Sequence, residues 1–416
     1  MSVTETRIVP GDERVTFGGI VRAYLAKIRG GDVGSLPAIL GLVVLVIVFS
    51  VAGNNFVTAG NFANLISQTA GVTVLAMGLV FVLLLGEIDL SAGYAAGASA
   101  AVLGALATNH GWSTIPAILG CLATGAFIGT CIGLLVSRLG IPSFVVTLAA
   151  FLGLQGVMLA ILGEGGTIAY HSKFILSLNN DQLPLWLGWA LAIVGLLAYA
   201  GLTFRSNRVR KARGLAHEPM LQWVLKTVAL VVVVIAVVYY LSIERSPHPE
   251  VRSLKGVPIV LVVIVGLLVI LSFLLMKTAW GRHVYAIGGN AEAARRAGIN
   301  VARVKLSCFI MCSTLAAVAG ILIASRDNSV SPGTGGSQTL LYAVGAAVIG
   351  GTSLFGGKGR VSDAVVGGLV IAVINNGMIL LDQPAATVYL VTGGVLLLAA
   401  SVDAISRRRA SASGRA

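Results

Sequence analysis

Residues Lys277 to Lys305 read KTAWGRHVYAIGGNAEAARRAGINVARVK, a polar stretch in a chain that is mostly apolar. Apolar runs flank it on both sides. It carries six basic side chains (Lys277, Arg282, Arg295, Arg296, Arg303, Lys305) and a single glutamate, Glu292. Its centre has the marks of a very short helix. Asn290 is a suitable N-cap, Glu292 falls in the first turn near the positive end of the helix dipole, and Gly298 can close the far end left-handed. Only the residues from Ala291 to Ala297 lie between these caps. So short a helix is marginal alone in water, which implies that it docks against something.

The rest of the chain explains what surrounds it. Of 416 residues, 56% are hydrophobic and 11% are charged, with a mean hydropathy of +0.93. Soluble domains carry about 25% charged residues. The apolar runs are also too many and too long for a signal peptide. The expected class is all-α, a polytopic membrane protein with about 10–12 transmembrane helices. Twelve apolar segments fall near 36–52, 62–85, 91–108, 115–136, 143–163, 184–204, 221–241, 257–276, 305–324, 338–354, 361–381 and 384–402. Of these, 338–354 is short and Gly-rich, and 62–85 is open to a break. The 52 glycines suit close helix packing. Cys121, Cys131, Cys308 and Cys312 all lie in apolar segments and read as small packing residues, because no fuller zinc-ligand set accompanies them.

Basic residues set the topology. With the N-terminus inside and every segment crossing, 24 of the 29 Lys/Arg face one compartment and 5 face the other. The larger group comprises the N-terminal region, Arg138, the 205–213 cluster, Lys226, the opening stretch, Lys358, Arg360 and the C-terminal tail. Both termini are therefore expected in the cytoplasm. The +13 net charge reads as an insertion signal rather than a nucleic-acid footprint. The division is a basic N-terminal segment 1–35 with an amphipathic stretch Val15 to Ile28, a membrane region 36–276 with a basic loop 205–220, the polar loop 277–305, a second membrane region 306–403, and a basic tail 404–416.

Acidic residues avoid the middles of these segments. Glu87 and Asp89 lie in GEIDLSAG (86–93), read as a break between segments two and three, and Asp363 lies near a segment start. Intramembrane charges usually mark ion coupling, so this placement argues against a proton- or sodium-driven transporter. GEIDLSAG has two readings: a cap, with Asp89 or Ser91 accepting from the next helix, or a broken helix near a conduit. In GIPSFVVTLAAFLGLQG (140–156), Pro142 suits a helix start, while Thr147 and Gln155 can share a face that bonds a neighbour or lines a water-filled path. At least one of Asn375 and Asn376 must face protein or water. IGGTSLFGGKGR (349–360) fails as a phosphate loop: Thr352 stands where glycine is needed, and Gly359 follows Lys358 where Ser or Thr is needed. It reads as a tight turn packed against helix ends or a partner. The five histidines are scattered in loops, and no catalytic or metal constellation stands out.

From Thr278 onward the chain resembles the membrane permease subunits of bacterial ABC sugar importers, the ribose/xylose/galactose group. The motifs are GRHVYAIGGNAEAARRAGINVARVK, AVIGGTSLFGGKGR and INNGMILL, with GEIDLSAG and GIPSFVVTLAAFLGLQG upstream, so the likeness covers most of 60–405. The last of these, with the additional apolar pair around 184–241, is most similar to xylose-type permeases. The resemblance implies the ABC importer permease fold in the bacterial plasma membrane and uptake of a monosaccharide, a pentose such as xylose. It implies no ATPase site here: ATP and magnesium belong to a partner ATPase subunit, and a second permease copy and an external sugar-binding protein complete the system. The segment Ala291, Glu292, Ala293, Ala294, Arg295, Arg296 and Gly298 resembles the coupling helix that enters the ATPase. Glu87, Asp89, Thr147, Gln155, Asn375 and Asn376 are the candidates for the translocation path. Two other classes remain open: an ion-coupled secondary transporter, and an ABC permease for another small solute.

Overall fold

The computed structural model describes residues 35–53, 55–163, 166–215 and 217–412, with backbone alone from 402. The amphipathic stretch expected at Val15 to Ile28 lies outside the described residues. Each of the twelve apolar segments forms a helix. In chain order these are α1 (Leu36–Ala52), α2 (Ala59–Leu84), α3 (Ala92–Gly104, extended by a π-helical turn Ala105–Asn109), α4 (Thr114–Ser137) and α5 (Ser143–Leu162). The two-residue strand β1 (Ile168–Ala169) and the short helix α6 (Lys173–Asn180) follow, then α7 (Leu185–Ala212), α8 (Met220–Leu241) and α9 (Ile259–Lys277). The polar stretch folds as α10 (Ala279–Gly289) and α11 (Ala291–Arg296). The chain ends with α12 (Val301–Asp327), β2 (Ser329–Val330), α13 (Gly336–Gly350), α14 (Val361–Leu380) and α15 (Ala385–Ala412). Eight of these are long and apolar enough to cross a bilayer, and three shorter ones are apolar. Segment 62–85 is one unbroken helix.

α12 is the hub, and small residues let its neighbours reach it. On α4, Gly125, Gly129 and Gly133 recur every fourth residue and lie against the backbone of α12 at Ser313, Phe309 and Leu306. On α2, Gly78 lies against Cys312 and Leu315. Spacing by four keeps glycines on one helical face and permits backbone approach without a hydrophobic driving force between helices. Cys121, Cys308 and Cys312 are buried in this packing, but Cys131 is exposed on α4, so the packing role expected of all four holds for three.

The two ends of the chain form an inverted pair. α2–α3–α4–α5 and α12–α13–α14–α15 each comprise a long helix, a short half-helix and two further helices. α2 packs on α12, α13 and α14, and reciprocally α12 packs on α2, α3 and α4. The connection from α12 to α13 re-enters the bundle. Gly104, at the end of α3, meets Val330, whereas Gly97 and Gly93, near its start, meet Thr334 and Gly336. Between 330 and 336 the chain thus descends along α3 by about 16 Å, at 1.5 Å per helical residue.

Loop contacts divide into two faces. On one, the segments 85–91, 277–300 and 351–360 meet, and Ile88 N–H donates to Ser143 Oγ at the start of α5 at 3.3 Å. On the other, β1 pairs antiparallel with β2, Arg252 contacts Asp181 at 2.6 Å, and Thr108 donates to the Ala169 carbonyl at 2.9 Å. Glu244 also lies on this second face, where hydrogen bonds from Ser246, Leu254 and Ser253 hold its carboxyl down at about 2. α7 and α8 form an excursion from the bundle: Leu183 N–H donates to the Val257 carbonyl at 2.8 Å and Ile259 N–H to the Asp181 carbonyl at 3.0 Å, so the two ends of the excursion are adjacent.

Candidate coupling site and translocation path

The short helix forms where its caps predict. Asn290 Oδ1 accepts from Ala293 N–H at 2.9 Å. At the other end Gly298 has φ +83, and its N–H donates to the Arg295 carbonyl at 3.0 Å, with Ile299 N–H reaching the Ala294 carbonyl at 3.1 Å. A side chain at that φ is strained, so glycine ends the helix there. Ala294 is the buried contact of α11, while Glu292, Ala293, Arg295, Arg296 and Gly298 face outward and Ala291 is half-buried. Glu292 contacts Arg295 at 2.9 Å and Arg296 at 3.3 Å. Such exposed pairs add little stability, which leaves the charges available to a partner.

α11 is carried by a tight knot of three loops. Thr278 Oγ1 caps α10 by accepting from Gly281 N–H at 3.2 Å. Trp280 stacks on Phe81 of α2 with ring centroids 5.7 Å apart and donates to Ser307 Oγ at 2.8 Å. Gly357 N–H donates to the Leu84 carbonyl at 2.9 Å, and Gly288 lies so close to both that an added methyl would overlap them. Tyr285 donates to the Gly359 carbonyl at 2.7 Å, and burial pushes its hydroxyl up. Glu87, from the α2–α3 connection, pairs with Lys305 near the start of α12, with side chains only 16% and 23% exposed. The motif at 349–360 is thus a turn packed on helix ends. Its exit is set by Asp363, whose Oδ2 accepts from Arg360 N–H at 2.7 Å.

The six path candidates separate. Glu87 belongs to the knot. Asp89 is buried alongside Cys312, in the interior of α12. Its Oδ1 accepts from Ser91 N–H at 2.9 Å and from Ser91 Oγ at 2.6 Å, so it bonds the N-cap residue itself. The expectation that acidic residues avoid the membrane interior fails here: hydropathy marks 86–91 as a loop, but the fold inserts it beside α12. Thr147 is fully buried and donates to the Ser143 carbonyl at 2.8 Å and the Ile88 carbonyl at 3.3 Å. Gln155 lies half-buried on a different face of α5, about 80° away, because eight residues overrun two helical turns. Thr147 is thus engaged with the α2–α3 connection, and Gln155 does not stand directly above it on α5. Asn376 exchanges two 2.9 Å hydrogen bonds with Asn61 of α2, a closed pair that joins helices. Asn375 differs. Its Oδ1 accepts from Tyr342 at 3.2 Å, and Tyr342 accepts from Gln338 Nε2 at 3.0 Å. Gln338 and Tyr342 carry no sequence motif; their spacing of four on an apolar helix is the only signal. Among the described residues no three His, Cys, Asp or Glu side chains gather as a metal site.

A bundle of apolar helices arranged as inverted repeats, with a capped polar helix locked to one face, defines a multi-pass membrane permease. The chain belongs to the family described as branched-chain amino acid transport system / permease component, whose model matches residues 61–400. Among curated proteins it is similar to the xylose transport system permease protein XylH of Escherichia coli (strain K12), 36% identical over 85% of this chain and 87% of that protein. It is 29% identical to the ribose import permease protein RbsC of the same strain, over 88% of this chain and 92% of that one. The fructose import permease protein FrcC of Rhizobium meliloti is 30% identical over 91% and 88%. No solved structure matches the chain.

Proposed function

We propose that this chain is the membrane subunit of an ATP-driven importer for a monosaccharide, a pentose such as xylose, and that α11 is where ATPase motion enters the membrane. The observation that carries this is the knot: a solvent-facing, capped helix whose support is fastened, backbone to backbone, to the C-terminal end of α2 and to the 351–360 turn. The names of the curated relatives supply the sugar. The ATPase subunit, which holds ATP and magnesium, grips Glu292, Ala293, Arg295 and Arg296 from the cytoplasm. A sugar-binding protein docks on the opposite face, and a second copy of this chain completes the pathway. Both termini are cytoplasmic, following the 24-to-5 division of basic residues.

Closure of the ATPase displaces α11. The knot passes this displacement to the connections that lead into the two half-helices, α3 through 85–91 and α13 through 351–360. These half-helices meet at Gly93, Gly97 and Gly335, and tilting one against the other switches access between the two faces. The test uses Glu292→Lys and Gly298→Pro in the assembled complex. Both should reach the membrane at normal level, lose co-purification with the ATPase and lose uptake. Normal transport in both would overturn the coupling role.

A further inference from the structure

A polar flank of α13 stands uncovered at about mid-depth of the bundle. Its counterpart on α3 is closed, because Tyr94 packs edge-on against Phe151 of α5 with ring centroids 4.6 Å apart. On α13, by contrast, Gln338 is exposed, Leu341 is 62% exposed, and Tyr342 is half-buried. α13 begins about 16 Å below the strand pair, by the helical rise along α3, so Gln338 lies within the membrane-spanning zone. An amide facing hydrocarbon there is costly, and irregular backbone such as 331–335 is tolerated only inside protein or beside water. Gln338 donates to Tyr342 at 3.0 Å, and Tyr342 donates to Asn375 at 3.2 Å. Among the described residues, Gln338 Oε1 and the Asn375 amide hydrogens have no hydrogen-bond partner.

We propose that Gln338, Tyr342 and Asn375 form the sugar-contacting wall of the translocation path. The ligand class is a small polyhydroxylated solute. The free acceptor on Gln338 and the free donors on Asn375 match vicinal hydroxyls, which each donate and accept. The tyrosine ring between them offers an apolar face to the C–H side of a sugar ring. The inference rests on the permease reading and deepens it.

The test uses the complete complex, with its ATPase and binding protein, in proteoliposomes and a Cys131→Ser background. Gln338→Cys should react with a charged, membrane-impermeant thiol reagent, and the reaction should block D-xylose uptake. Tyr342→Phe and Asn375→Leu should lower sugar moved per ATP hydrolysed at least ten-fold, with ATPase co-purification unchanged. An unreactive Gln338→Cys, or uptake unaffected in Tyr342→Phe, would make the cluster a lipid-facing anchor or a contact between copies and overturn the proposal. Should Gln338→Cys fail to assemble, Tyr342→Phe, which removes one oxygen, decides alone. If the unsubstituted complex moves no sugar with ATP, the permease reading itself fails, a result separate from failure of the wall.

Discussion

Glu87 and Lys305 are 218 residues apart in the chain yet close the knot between the α2–α3 connection and α12. Because both side chains are mostly shielded from water, removing one charge strands the other in a poor solvent. Glu87→Gln should therefore lower uptake more than the exposed position of a loop residue suggests. Exchange of the two, Glu87→Lys with Lys305→Glu, should recover a coupling energy of about 0.5–3 kcal/mol in a double-mutant cycle read by thermal unfolding of the purified complex. No recovery would mean that the pair is incidental. At this scale the sequence was informative where chemistry is local. Asn290, Glu292 and Gly298 cap a helix from within their own segment and were legible. The Asn61–Asn376 pair and the Gln338–Tyr342–Asn375 chain join side chains from separate helices, so no local pattern carries them.

α7 and α8 pack mainly on each other, and their surroundings touch the bundle near one end, where Gly188 meets Val257 and Phe62 packs edge-on against Tyr240 with ring centroids 5.7 Å apart. Since Leu183 and Val257 are hydrogen-bonded neighbours at 2.8 Å, excising 184–256 and closing with a short turn should leave the bundle folded. ATPase co-purification should persist, with uptake within a few-fold of the full chain. Loss of both would show that the excursion is integral to the fold. Helices as elements were visible in hydropathy because a span must satisfy its own backbone in lipid. What hydropathy missed was depth. The 86–91 segment and the start of α13 look like ordinary loops, but close contacts at Gly93, Gly97 and Gly336 draw them into the bundle.

Across the whole molecule, the two sets of loop contacts make orientation a single binary question. A tag inserted between Gly214 and Leu215, just past the end of α7, should be accessible only in inside-out vesicles, and one between Ser246 and Leu254 only in right-side-out vesicles. Accessibility of both from one side would break the alternation. Composition, hydropathy and basic-residue placement by themselves determined a multi-pass helical protein, its twelve segments, its expected orientation and its short capped helix. Each of these follows from the cost of moving charge or unpaired backbone into hydrocarbon, or from capping within one turn, and needs no distant partner. The inverted pairing of the two ends, the insertion of Asp89 beside Cys312, the knot at Gly288 and Gly357 and the uncovered flank of α13 were decided only by tertiary structure. They depend on how closely small residues let separate helices approach, and that distance is set jointly by both partners.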